Sequence, residues 1–297
     1  MNENYTQLYI DFLRKFVDVR KSLKVVFDAS NGPAGILVKK IFANTPVDVF
    51  VINDDIDPDF KAHGPNPLSP SASSMIQKTI LEEKASLGVM FDADADRAVF
   101  FDEEGVMMDA CFSLSFMFGY LKTPVVVDEL VYQAIRFLRL LPESDLVPSR
   151  IGAFFLKEKM RDQGIFGGGE FSGHYFFKDF FNADSGIFAS IFFLNALSRS
   201  QTTLSHWKQE KGEHTICTEE IKIQNLDMAS LLKTIENNYL STAKEVSRRD
   251  GLSLIFDDFW CNIRASNTEP ILRIIAGGRQ GVCDKVKEIK KLINEQK

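Results

Sequence analysis

Three short stretches of this sequence gather side chains able to do chemistry. The first is Asp92-Ala-Asp94-Ala-Asp96-Arg97. In extended backbone, residues two apart point the same way, so alternation would aim three carboxylates at one spot. Like charges that close repel unless a cation sits among them. Hard oxygen ligands on a small loop suit Mg2+, which keeps coordination positions free for water or phosphate. The plain alternative is a solvated acidic turn. An EF-hand does not fit, because Arg97 stands where that loop needs glycine. The second stretch, Gly167 to Tyr175, sets Glu170, Ser172 and His174 between glycines. A carboxylate, a hydroxyl and an imidazole can hold sugar hydroxyls, and the imidazole can move a proton near neutral pH. The alternative is a tight turn with a satisfied histidine. No G-x-S-x-G string occurs, which argues against a serine hydrolase of that type. The third stretch carries Arg264, Ser266, Asn267 and Thr268, with Arg273 just beyond. Hydroxyls, an amide and a guanidinium fork are the ingredients of a phosphate clamp. The same residues also make ordinary hairpin turns.

Each stretch lies between apolar runs that read as strands. LGVMFD precedes the acidic loop and AVFFD follows it, so a strand–loop–strand platform is expected there. Upstream, residues 4–20 place Tyr5, Leu8, Tyr9, Phe12, Leu13, Phe16 and Val17 at helical spacing, one amphipathic helix. LKVVFDASNGPAG then reads as strand, turn and helix start, and Ser71 to Lys84 as a helix. The pattern restarts at TPVVVDELVYQAIRFLRLL, with helices near FFLKEKMRDQ and from Asp184 to Leu197. SQTTLSHWKQEKGEH is polar and reads as a boundary. The tail mixes TEEIKIQ, GLSLIFDD, FWCNIRAS and ILRIIAGG strands with helices at Leu231–Tyr239 and Val282–Ile293. The expected fold class is α/β: two α/β sandwich domains, residues 1–121 and 122–212, then a small α+β domain, residues 213–297.

With 297 residues, 45% of them hydrophobic and 26% charged, the chain can build more than one core. A net charge of −6 argues against nucleic acid as a partner. Cys111, Cys217, Cys261 and Cys283 show no paired spacing, so reduced, mostly buried thiols and a cytoplasmic location are expected. The longest apolar stretch, Ile187 to Leu197, is about half a membrane span, so no membrane association is expected.

Taken in order, the three stretches resemble the phosphoglucomutase/phosphomannomutase (phosphohexomutase) family. DADADR resembles its magnesium loop, GGEFSGH its sugar-binding loop and RASNTEPILR its phosphate-binding loop; HGPNPLSP, from His63, resembles a further family string. The resemblance implies the second, third and fourth of four domains. It implies Mg2+ on Asp92, Asp94 and Asp96, with Arg97 supporting that loop or meeting a phosphoserine. Glu170 and Ser172 would read the sugar, and His174 would assist proton transfer. Arg264, Ser266, Asn267, Thr268 and Arg273 would grip the phosphate that is not reacting. The ligand would be a hexose phosphate or bisphosphate, moved between C1 and C6 phosphate forms. The resemblance does not say which hexose.

Two departures stand out. Nothing in the 297 residues resembles the family's T-A-S-H-N-P-type serine loop. Ala153 stands where the family usually has a substrate-contacting histidine, and Ala93 where it usually has glycine. The chain alone is therefore expected to be inactive, with a separate serine-domain polypeptide as its partner. The alternatives are a non-catalytic sugar-phosphate binder and a truncated relic. The split-enzyme reading further predicts an apolar patch near the residue 5–17 helix.

Overall fold

The computed structural model describes residues 4–69, 71–212, 214–222, 227–266 and 270–295. Three five-stranded sheets follow one another along the chain. The first has the order β2-β1-β3-β4-β5, built from β1 (Leu23–Asp28), β2 (Val47–Ile52), β3 (Leu87–Phe91), β4 (Ala98–Phe101) and β5 (Met107–Met108). β1 runs parallel to β2 and β3, whereas β3–β4 and β4–β5 are antiparallel. Alternation along β1 explains the layering. Val25 and Phe27 pack with α1 (Tyr5–Arg14) and α2 (Ala34–Ile41), while Val26 packs with α3 (Ser74–Glu83).

The second sheet, β10-β9-β8-β6-β7, repeats the device. Its strands are β6 (Val125–Asp128), β7 (Leu146–Ser149), β8 (Gly167–Gly169), β9 (Tyr175–Phe177) and β10 (Ala183–Asp184). Val126 and Phe176 face α6 (Ala153–Gln163), and Val125, Val127 and Phe177 face the main core. That core is shared by the first two sheets. Its centre is α4 (Ala110–Leu121) and α7 (Gly186–Arg199), which are apolar nearly all round and pack against each other. α5 (Glu129–Leu138) closes the far side.

The third sheet, β11-β15-β14-β13-β12, is wholly antiparallel: β11 (Thr215–Lys222), β12 (Glu245–Ser247), β13 (Leu252–Ile255), β14 (Phe259–Ala265) and β15 (Ile271–Gly278). α9 (Met228–Tyr239) and α10 (Val282–Asn294) cover one face through Leu231, Ile235, Val286, Ile289 and Ile293. α5 lies against β14 and β15. The fold class is the expected one, two mixed α/β units and a third built on an antiparallel sheet.

Two elements differ from the sequence expectation. α1 stops at Arg14 rather than near residue 20. Asn195 of α7 takes the Phe16 carbonyl at 2.7 Å and the Asp18 N–H at 2.8 Å, so these backbone groups leave the helical ladder. The polar segment after residue 200, read as a boundary, contains α8 (Leu204–Lys211). Its start is held by Glu103 of the first sheet's β4–β5 turn, which accepts the Leu204 N–H at 3.1 Å. A local N-cap joins it, with Thr203 Oγ1 accepting the His206 N–H at 3.3 Å. All four cysteines are free; Cys111 and Cys261 are buried, Cys217 and Cys283 half-buried. Among the described residues no helix is long and apolar enough to cross a membrane.

Candidate active site

Asp92 to Arg97 form the turn joining β3 to β4. The backbone is not extended, as alternation assumed: Ala95 sits at φ +61° and its N–H bonds the Asp92 carbonyl. The three carboxylates converge all the same, each offering an oxygen within 4.8 Å of the others. Buried Asp92 accepts the Arg97 N–H at 3.1 Å and the Arg97 Nε–H at 2.7 Å. Burial alone would raise its pKa, but hydrogen bonds from Asp96 and Arg97 outweigh that and hold it below the usual carboxylate range. Burial, and then the neighbouring Asp92, push Asp96 up to about 6. Asp96 Oδ1 is buried without a hydrogen-bond partner among the described residues, an unmet acceptor among hard oxygen donors. That donor set fits a small divalent cation such as Mg2+.

Residues 170–174 form the turn between β8 and β9. The Glu170 N–H bonds the His174 carbonyl at 3.0 Å, and Gly173 adopts φ +88°, a conformation glycine takes without strain. Ser172 Oγ lies 2.8 Å from His174 Nδ1 and 3.3 Å from Glu170 Oε2. The turn is anchored twice: the Phe171 N–H donates to Asp128 Oδ2 at 2.8 Å, and the Gly152 N–H to Glu170 Oε1 at 2.9 Å. It also touches the acidic loop directly. Ala98 N–H bonds the Gly173 carbonyl at 3.1 Å, and His174 Nε2 lies 3.5 Å from Asp96 Oδ2. Burial would lower the His174 pKa, but Glu170 and Asp96 on either side raise it overall, favouring the imidazolium.

Arg264 and Arg273 are directly opposed on β14 and β15, so both side chains leave the same sheet face. Arg264 Nη1 donates to Asp250 Oδ2 at 3.1 Å, and Arg273 Nε to Glu220 Oε1 at 2.9 Å. Ser266 closes the strand pair, its N–H bonding the Ile271 carbonyl at 2.8 Å. Asn267 and Thr268 lie outside the described residues.

Several residues that hold this site were missed in the sequence. Asp128 sits at the end of a parallel strand and caps α5 through the Val131 N–H, and burial pushes its pKa up to about 7. Asp184 completes a cluster with Asp96 and His174 and pairs with Lys157 at 3.0 Å. His63, which the HGPNP string already marked, lies 3.3 Å from buried Asp28. An aspartate closing a buried strand run, as Asp28 and Asp128 do, was the available signal.

Comparison with known proteins bears on what this arrangement is. Residues 7–105 match the family model for phosphoglucomutase/phosphomannomutase α/β/α domain II, and residues 136–213 match that for domain III. The chain belongs to this family. A phosphomannomutase of Salmonella typhimurium is 30% identical over 278 residues, covering 90% of this chain and 61% of the relative. One from Vibrio cholerae is also 30% identical, covering 97% of this chain and 65% of the relative. The chain thus spans less than two thirds of the length of these phosphomutases. Among solved structures, a phosphoglucomutase/phosphomannomutase family protein of Burkholderia thailandensis superposes with TM-score 0.81 at 23% identity, covering 97% of this chain and 63% of that one. An N-acetylphosphoglucosamine mutase of Aspergillus fumigatus, solved with GlcNAc-6P and magnesium, superposes with TM-score 0.63 at 16% identity, covering 98% and 69%. At those identities the likeness concerns the fold.

Proposed function

We propose that this chain supplies the metal-, sugar- and phosphate-binding parts of a phosphohexomutase, and that turnover requires a serine-bearing domain docked onto it, from the same or another polypeptide. The units would divide near residues 121 and 212. The observation that carries this reading is the convergence of the acidic and sugar loops, with His174 Nε2 3.5 Å from Asp96 Oδ2. Asp92, Asp94 and Asp96 would hold Mg2+, which when bound supplies charge neutralisation for a phosphoryl group. Arg97, already spent on Asp92, braces that loop. Glu170 and Ser172 orient the sugar hydroxyls. His174, whose imidazolium form the flanking carboxylates favour, gives a proton to an oxygen that gains charge as its P–O bond breaks. Arg264, Ser266, Asn267, Thr268 and Arg273 hold the distal phosphate. Phosphoryl transfer depends mainly on positioning and electrostatics, so such fixed groups do most of what the reaction needs.

A docking face supports the second half of the reading. Tyr5 (75% exposed), Leu8 (55%) and Phe181 (82%) lie exposed on or beside α1. Phe181 stacks on Phe12 with centroids 6.1 Å apart. Exposed apolar side chains on one element and its neighbour fit an interaction face.

The test adds the serine-bearing domain of the Salmonella phosphomannomutase to this chain. Conversion of mannose or glucose 1-phosphate is followed with glucose 1,6-bisphosphate as primer. Turnover by the mixture and by neither part alone is expected. Bisphosphate binding without turnover would leave a non-catalytic binder. No binding at all would sink the sugar-phosphate reading.

A further inference from the structure

One side chain joins the sugar loop to the phosphate strands, and it belongs to neither motif. Asp250 stands just before β13 and is nearly buried, its side chain 12% exposed. Its Oδ2 accepts from Arg264 Nη1 at 3.1 Å and from the Ile151 N–H at 3.0 Å. The next residue, Gly152, donates its N–H to Glu170 Oε1 at 2.9 Å. Two successive amides of one turn therefore point at two carboxylates, one in each half of the site. Gly152 adopts φ +125°, where a side chain would be strained. Beyond Asp250, Gly251 at φ +69° packs against the Ile263 carbonyl and Arg264, which fixes the carboxylate to the strand it serves. A second tie lies alongside: buried Glu129 of α5 pairs with Arg249 and accepts from Ser253 Oγ at 2.8 Å.

We propose that Asp250 is a positioning residue that aims Arg264 and, through the Ile151–Gly152 turn, couples its placement to that of Glu170. Arg264 carries five N–H donors, and Asp250 engages it through Nη1. The carboxylate fixes the guanidinium plane while the remaining edge stays available to a phosphate. This rests on the sugar-phosphate reading above and adds a device that joins its two halves.

Coulomb's law alone gives the opposite expectation, which makes the proposal testable. Removing a carboxylate beside an anion site should tighten anion binding. Positioning predicts instead that Asp250→Asn, with its shape kept, binds glucose 1,6-bisphosphate about tenfold more weakly in calorimetry, the scale of one charged hydrogen bond. Equal or tighter binding by Asp250→Asn would overturn the proposal. A ligand-free measurement separates this from failure of the functional reading. Hydrogen exchange at the Gly152 amide, whose own acceptor is Glu170, should accelerate in Asp250→Asn if the turn couples the two loops. Unchanged Gly152 exchange would overturn the coupling even if the wild-type chain bound no sugar phosphate. Asp250→Glu, which restores the charge at a different reach, should recover part of the affinity; a variant no better than Asp250→Asn would contradict a role for the carboxylate.

Discussion

Asp96 Oδ1 is buried without a hydrogen-bond partner among the described residues and sits within 4.8 Å of carboxylate oxygens of Asp92 and Asp94, a crowding of like groups that costs stability. Asp94, the exposed member, can be altered without opening the core. Asp94→Asn should therefore keep the fold and lose most of the Mg2+-dependent rise in melting temperature, measured by thermal denaturation with and without the metal. An equal rise in both proteins would remove the metal role from this loop. The motif strings themselves were plain in the sequence because each is a dense run of polar groups between apolar strands. Asp250 was not, since its importance comes from where Ile151 and Arg264 meet it, about 100 residues away on one side.

Elements hold these residues through close backbone contacts and buried charges. The turn after β1 lies against the acidic loop so tightly that a Cβ on Gly32 would fall 2.2 Å from the Ala93 carbonyl oxygen. Gly32→Ala should cost about 1–3 kcal/mol in urea unfolding, the usual scale of overpacking, and weaken Mg2+ binding with it. In the same region His63 meets buried Asp28, and that hydrogen bond raises the histidine pKa above its ordinary 6.5. The folded state thus binds the proton more tightly than the unfolded chain. The stabilisation is complete below the unfolded value and is lost as pH rises through the raised one. Melting temperature should fall as pH rises above 6.5, and His63→Gln should flatten that fall. A slope unchanged in His63→Gln would assign it to other groups. Strand runs and amphipathic helices were legible from their periods. The end of α1 was not, because Asn195 sets it across the fold.

At the scale of the molecule, Tyr5, Leu8 and Phe181 are exposed on or beside α1. Phe181 holds φ +59°, a conformation asparagine tolerates better than phenylalanine. Phe181→Asn should leave stability within about 1 kcal/mol and reduce turnover in the mixture with a serine-bearing domain. Undiminished turnover would move the docking face elsewhere. The three-sheet order and the fold class could be read from alternating strand and helix patterns, but the shared core of α4 and α7 could not, since it forms only when two sheets pack on it. If the three loops form one Mg2+-using sugar-phosphate site, calorimetric titration of this chain with glucose 1,6-bisphosphate, with Mg2+ and with the metal chelated, should show it. Saturable binding that weakens when Mg2+ is removed and when Arg264 or Glu170 is replaced is expected. Absence of binding in Mg2+, or binding indifferent to all three changes, would contradict it.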